Sequence, residues 1–160
     1  MENFDKHIYV DADSCPVKNE VIRVAEKLDI PVVFVSSYAH ELTLPSFVKK
    51  VTVDADKEAV DLYIINHIHI GDICVTQDHA LASLLLAKGV FALSPKGYEF
   101  KEEMIQQLLD YRFFSQKVRR MGGRTKGPKA FTKADRQNFT YSLEKIIKNS
   151  RNIKENSEKI

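Results

Sequence analysis

Apolar and polar positions along this chain switch between two periods, and the switches mark its elements. Residues 6–11 end in the strand-forming run Ile8-Tyr9-Val10 and read as a first strand. Val17, Val21, Val24/Ala25 and Leu28 then recur at helical spacing to about residue 29. Pro31-Val-Val-Phe-Val35 is almost wholly apolar, as expected of a strand covered on both faces. Residues 37–50 hold no clean period and read as loop, with a short helix as the alternative. Val51-Thr-Val53 is a short third strand. Ala59, Val60, Ile64 and Ile68 describe a helix that stops before Gly71. Asp72-Ile-Cys-Val-Thr76 is the fourth strand, and a helix capped by Asp78 follows through Leu81, Leu84 and Leu85 to Gly89. Residues 90–93 give a fifth strand.

Strands alternating with helices predict an α/β fold: a mainly parallel sheet of about five strands with helices on both faces. After residue 97 the strands cease. Phe100, Met104, Leu108 and Leu109 mark a helix to about residue 114, and residues 116–129 have three glycines, a proline and no apolar period. Thr132-Lys-Ala-Asp135 has the form of a capping box, so a last helix is predicted over 133–149. Residues 150–160 read as a fraying polar tail. The expected division is an α/β domain over 1–115, a basic glycine-rich arm and helix over 116–149 packed on the same domain, and the tail.

Composition narrows the class. With 160 residues and 44% hydrophobic content, the chain can build one real core. No apolar run reaches transmembrane length and the start has no signal-peptide character, so no membrane partner and a cytoplasmic location are expected. Cys15 and Cys74 show no zinc-ligand spacing and read as reduced, packed thiols.

The net charge of +2 conceals an asymmetry. Residues 1–116 carry 11 Lys/Arg against 18 Asp/Glu, net −7, whereas residues 117–136 carry eight basic residues against Asp135 alone, net +7. Lys117, Arg119, Arg120, Arg124, Lys126 and Lys129, followed by Lys133 and Arg136, form a concentrated basic segment. That pattern predicts a polyanion partner, nucleic acid in particular. Tyr111, Phe113, Phe114 and Phe131 flank it and read as core residues in preference to stacking platforms.

The candidate chemistry lies in aspartates. Asp11 and Asp13 end the first strand, Asp61 follows the third strand within its helix, and Asp78 follows the fourth. In a parallel sheet these positions converge on the carboxyl edge, where ligands gather. Clustered carboxylates repel unless a cation neutralises them, and oxygen ligands favour Mg²⁺ or Mn²⁺. Capping alone accounts for Asp56 and, taken singly, for Asp78. Asp54 reads as a strand-end turn residue. Asp72 precedes its strand, so it falls at the opposite edge and reads as a turn residue. His79 is the one histidine beside the candidate site.

The runs Tyr9-Val-Asp-Ala-Asp-Ser-Cys-Pro-Val17, Gly71-Asp-Ile-Cys-Val-Thr-Gln-Asp78 and Arg119-Arg-Met-Gly-Gly-Arg-Thr-Lys-Gly-Pro-Lys129 resemble those of the YaiI/YqxD family, poorly characterised bacterial proteins similar to PIN-like nucleases. The resemblance implies a PIN-like fold in which Asp11, Asp61 and Asp78 hold a divalent metal, with Asp13 as an added ligand. It departs from that pattern in the first helix, where an acid is expected and only Glu20 and Glu26 are available. The implied activity is metal-dependent hydrolysis of RNA by an Mg/Mn-dependent ribonuclease, with Asp11, Asp13, Asp61 and Asp78 as catalytic residues. A non-catalytic RNA-binding protein is the first alternative. A haloacid-dehalogenase-type phosphatase is the second, since strand-Asp-x-Asp also opens that fold. Its usual later Gly-Asp pair follows a strand, whereas Gly71-Asp72 precedes one.

Overall fold

The computed structural model describes residues 6–13, 15–37, 43–106 and 130–158. Five strands form one all-parallel sheet in the order β3-β2-β1-β4-β5. They are β1 (Ile8–Asp11), β2 (Val32–Ser37), β3 (Lys49–Val53), β4 (Ile73–Val75) and β5 (Phe91–Leu93). The order puts β1 at the centre, with Ile8↔Val32 through Asp11↔Val35 on one side and Ile8↔Ile73 through Val10↔Val75 on the other. Helices α1 (Lys18–Leu28), α2 (Lys57–His67) and α3 (His79–Ala87) are the crossovers, and α4 (Lys133–Glu158) is added at the end. This arrangement is consistent with a PIN-like α/β fold.

Strand side chains alternate between faces, and the two faces have separate cores. On one side Ile8, Val10, Phe34 and Val75 pack with Val21 and Val24 of α1 and with Phe139, Leu143 and Ile147 of α4. On the other, Tyr9, Val35 and Cys74 pack with Val60 and Ile64 of α2, Leu81 and Leu85 of α3, and Phe100 and Ile105 beyond β5. Both faces of the sheet are therefore covered, which is why β2 reads as an unbroken apolar run.

Helix α4 runs parallel to α1. Arg136 reaches Glu20 near the start of both helices, and Lys27 reaches Glu144 further along both. The capping box forms reciprocally, Thr132 N donating to Asp135 Oδ2 at 2.9 Å and Asp135 N to Thr132 Oγ1 at 3.1 Å. Phe131 packs against the α1-side core, as expected for it.

Three element boundaries differ from expectation. Strand β3 begins at Lys49, inside the predicted loop, because Lys49 and Lys50 pair with Val33 and Phe34. Their exposed side chains guard a sheet edge. Strand β2 extends to Ser37, two residues past its apolar run. Helix α4 continues through Glu158 in place of the expected tail. The helix expected over 100–114 is seen at residues 102–106, and the rest of it lies outside the described residues.

Candidate functional site

The carboxyl edge of the sheet is built around the end of β1. Tyr9 belongs to the core on the α2–α3 side, so Asp11, two residues on, shares that face. The sheet pairing continues one residue further, with Ala12 N donating to Val35 O at 2.9 Å. Asp13 then turns across the edge and accepts from the backbone N–H of Ser37 at 2.9 Å, tying the β1 loop to the end of β2.

The residue that positions Asp11 is Thr76. Its hydroxyl, buried just past β4, donates to Asp11 Oδ2 at 3.0 Å and accepts from Asp78 N at 3.0 Å. A hydroxyl has one proton to give. Because that proton goes to the carboxylate, the lone pair serves the N–H of Asp78, and the β4–α3 turn is locked to the end of β1. Asp78 in turn caps α3, its Oδ1 accepting from Ala80 N at 2.9 Å and Leu81 N at 3.1 Å. Sequence reasoning missed Thr76. The available signal was a polar, strand-end residue two positions before a helix cap.

Asp61 stands half-buried on α2, one turn after the Asp56 cap that accepts from Glu58 N. The fields of Asp11 and Asp61 meet at Cys74, whose thiol is pushed well up by burial, then by the charges of Asp11 and Asp61, and then by Cys15. Burial likewise pushes the Cys15 thiol up to about 11, and the Asp11 and Glu20 charges add to it against the opposing Val17 backbone hydrogen bond and Lys18. Neither thiol is a ready nucleophile. Both are packed, as expected.

The edge thus brings Asp11, Thr76 and Asp78 into one hydrogen-bonded chain, and the charges of Asp11 and Asp61 both raise the Cys74 thiol. Asp13 is directed to Ser37. Among the described residues no three His, Cys, Asp or Glu side chains form a group placed to hold a metal ion. A pair of carboxylates is nevertheless the donor set Mg²⁺ commonly uses, since it keeps several waters and takes substrate phosphate as a ligand. Asp11 and Asp61 are donors of the type a hard cation takes in that open mode.

Other expectations resolve plainly. Asp72 is buried at the opposite edge, accepting from His7 N at 3.0 Å and His69 N at 2.9 Å, so it fixes the entry to β1 and β4. Gly71-Asp72 therefore gives the phosphatase scheme no support. Glu20 is buried against Arg136 and Arg23, which accounts for it as an ion-pair partner. Arg136, at the end of the basic segment, is engaged with the body of the protein. Its Nη1 donates to Pro16 O at 2.6 Å and to Glu20, and its guanidinium lies 4.9 Å from the Phe131 ring centroid. His79 meets Phe100 edge-on at 5.6 Å. Lys117, Arg119, Arg120, Arg124, Lys126 and Lys129 lie outside the described residues, as do Tyr111, Phe113 and Phe114.

Comparison with known proteins returns one family. The family model described as the uncharacterised YaiI/YqxD family matches residues 9–149. A UPF0178 protein of Halalkalibacterium halodurans is 53% identical over 157 residues, covering 96% of this chain and all of its own length. One of Shouchella clausii is 54% identical over 140 residues, covering 88% and 91% of the two chains, and one of Bacillus cytotoxicus is 44% identical over 153 residues, covering 96% and 99%. No solved structure matches the chain.

Proposed function

We propose that this chain, which belongs to the YaiI/YqxD family, is a metal-dependent nuclease that hydrolyses phosphodiester bonds in RNA. The observation that carries this reading is the fixed Asp11 carboxylate at the end of the central strand, held by Thr76 in one hydrogen-bonded chain with Asp78. A bound Mg²⁺ or Mn²⁺ would neutralise phosphate charge and lower the pKa of an attacking water. Asp11 and Asp61 are its proposed carboxylate ligands, with Asp13 and Asp78 at the rim of the same edge. Thr76 orients Asp11, and the packed β4–α3 turn keeps that orientation. Lys117, Arg119, Arg120, Arg124, Lys126 and Lys129 would bind the RNA backbone.

The test pairs binding with cleavage. Mn²⁺ should raise the melting temperature by mass action, and the protein with Mn²⁺ should cut single-stranded RNA in an EDTA-sensitive manner. Asp11→Asn should remove both effects while leaving RNA binding in place. Cleavage that survives Asp11→Asn rejects the assignment. The reading of a non-catalytic RNA-binding protein is favoured by one observation, the absence of a three-ligand group among the described residues. It predicts RNA binding with no metal-induced change in melting temperature.

A further inference from the structure

Helices α1 and α4 leave between them a groove of about 610 Å³ on the outer surface. Arg136, which lines it, bonds the Pro16 carbonyl three residues past Asp13. The body of the protein is acidic, yet what this groove shows to solvent is positive. Glu20 and Glu144 lie inward, with side chains 7% and 22% exposed, each covered by cations. Arg23 is 73% exposed and Lys27 63%, and Lys133 is also on the surface, whereas Arg136 is turned onto Glu20 and the Pro16 carbonyl. Asp135 is engaged in the capping box and Glu26 lies outside the lining. Over the buried Val24, Tyr141 stands 66% exposed among these charges.

Outward cations along a groove, with an exposed aromatic ring between them, are the two parts of a single-strand binding surface: charge for the backbone and a face for a base. We propose that the α1–α4 groove is a track for single-stranded nucleic acid, with Arg23, Lys27 and Lys133 on phosphates and Tyr141 stacked on a base. Arg23 shares the buried Glu20 with Arg136 and keeps its own side chain 73% exposed, so a phosphate can share that cation. An acidic peptide would match the charge but would leave the tyrosine face unused. The track needs neither metal nor hydrolysis, and so it goes beyond the nuclease reading.

The experiment measures anisotropy of a labelled single-stranded RNA of about 12 nucleotides, in EDTA, with the full chain carrying Arg119→Ala, Arg120→Ala and Arg124→Ala. Tyr141→Ala should weaken binding about tenfold, and Tyr141→Phe, which keeps the ring, should bind as before. Arg23→Ala with Lys27→Ala should lessen the log–log salt slope by about 1.4, two phosphate contacts at about 0.7 each. Circular dichroism reports the fold, and Arg23→Gln with Lys27→Gln replaces any variant that fails to fold. Unchanged affinity and slope, or no binding at all in this background, overturns the proposal. Displacement by poly-glutamate with no effect of Tyr141→Ala makes the groove a peptide site and also overturns it. Lack of Mn²⁺-dependent cleavage bears only on the nuclease reading.

Discussion

Thr76 is an unremarkable strand residue in the sequence, and its weight comes from what its hydroxyl joins. Thr76→Val keeps the shape and removes the donor, leaving Asp11 Oδ2 and the Asp78 N–H without this partner. The expected loss is about 1–3 kcal/mol, the range for losing a hydrogen bond to a carboxylate together with one from a backbone N–H. Urea unfolding should show a lower midpoint at an unchanged m-value. Thr76→Ser should recover most of it, and Asp11→Asn combined with Thr76→Val should fall short of the sum of the single losses. Asp135 supplies a pH-dependent counterpart. The Thr132 backbone N–H, chiefly, holds its carboxyl below the ordinary carboxylate range. A depressed folded-state pKa stabilises above the unfolded value and is lost as pH falls through the folded one. Acid titration of thermal stability should therefore fall less steeply in Asp135→Asn than in the parent chain. Asp11, Asp13 and the Thr132–Asp135 box were legible because each sits at a strand or helix end with a local signature. Thr76 with Asp11 and Arg136 with Glu20 were not, since these partners stand 65 and 116 residues apart and meet only through the topology.

Among elements, α4 is the one whose docking can be tested sharply. Gly97 has φ +94° beneath it, and a Cβ there would come within 2.7–2.8 Å of the backbone of Asn138 and Phe139. Neither side can yield cheaply, because Asn138 Nδ2 donates to Lys96 O and Ser142 Oγ to Gly97 O. Gly97→Ala should cost at least about 2 kcal/mol, from left-handed strain plus a lifted helix. Gly71→Ala is the control: its φ is +87°, but a Cβ there meets only the flexible end of Lys6. About 1 kcal/mol, the strain alone, is expected. Arg136→Met should cost about 1–3 kcal/mol by stripping the buried Glu20 carboxylate of its main partner. Adding Glu20→Leu should return part of that loss, as read by chemical denaturation. Element type was readable wherever one period held for two turns or four strand residues, as in α1 and β2. The start of β3 was not, because Lys49 and Lys50 obey the needs of a sheet edge and look like loop charges.

At the scale of the whole molecule, the two sheet faces are closed in different ways. The α2–α3 face is covered mainly by helices threaded between strands, whereas the α1 face relies on Phe139, Leu143 and Ile147 from the far end of the chain. Each of those side chains contributes roughly 1.5–3 kcal/mol by burial. A chain ending at residue 115 should therefore lack fixed tertiary structure, with collapsed near-ultraviolet dichroism and poor amide dispersion in NMR. Charge segregation was legible at this scale by counting, and so was the alternation of strands and helices. That α4 lies parallel to α1 was not, because a capping box says where a helix starts and nothing about its neighbour. The lateness of α4 also sets an order of events during synthesis. The sheet strands and their aspartates leave the ribosome long before residues 139–147, so the nascent chain carries Ile8, Val10, Phe34 and Val75 behind α1 alone until α4 emerges. Such a half-covered sheet is the kind of species that chaperones hold and proteases remove. A late translational stop would then yield a product destined for clearance, although every aspartate of its carboxyl edge had already been made.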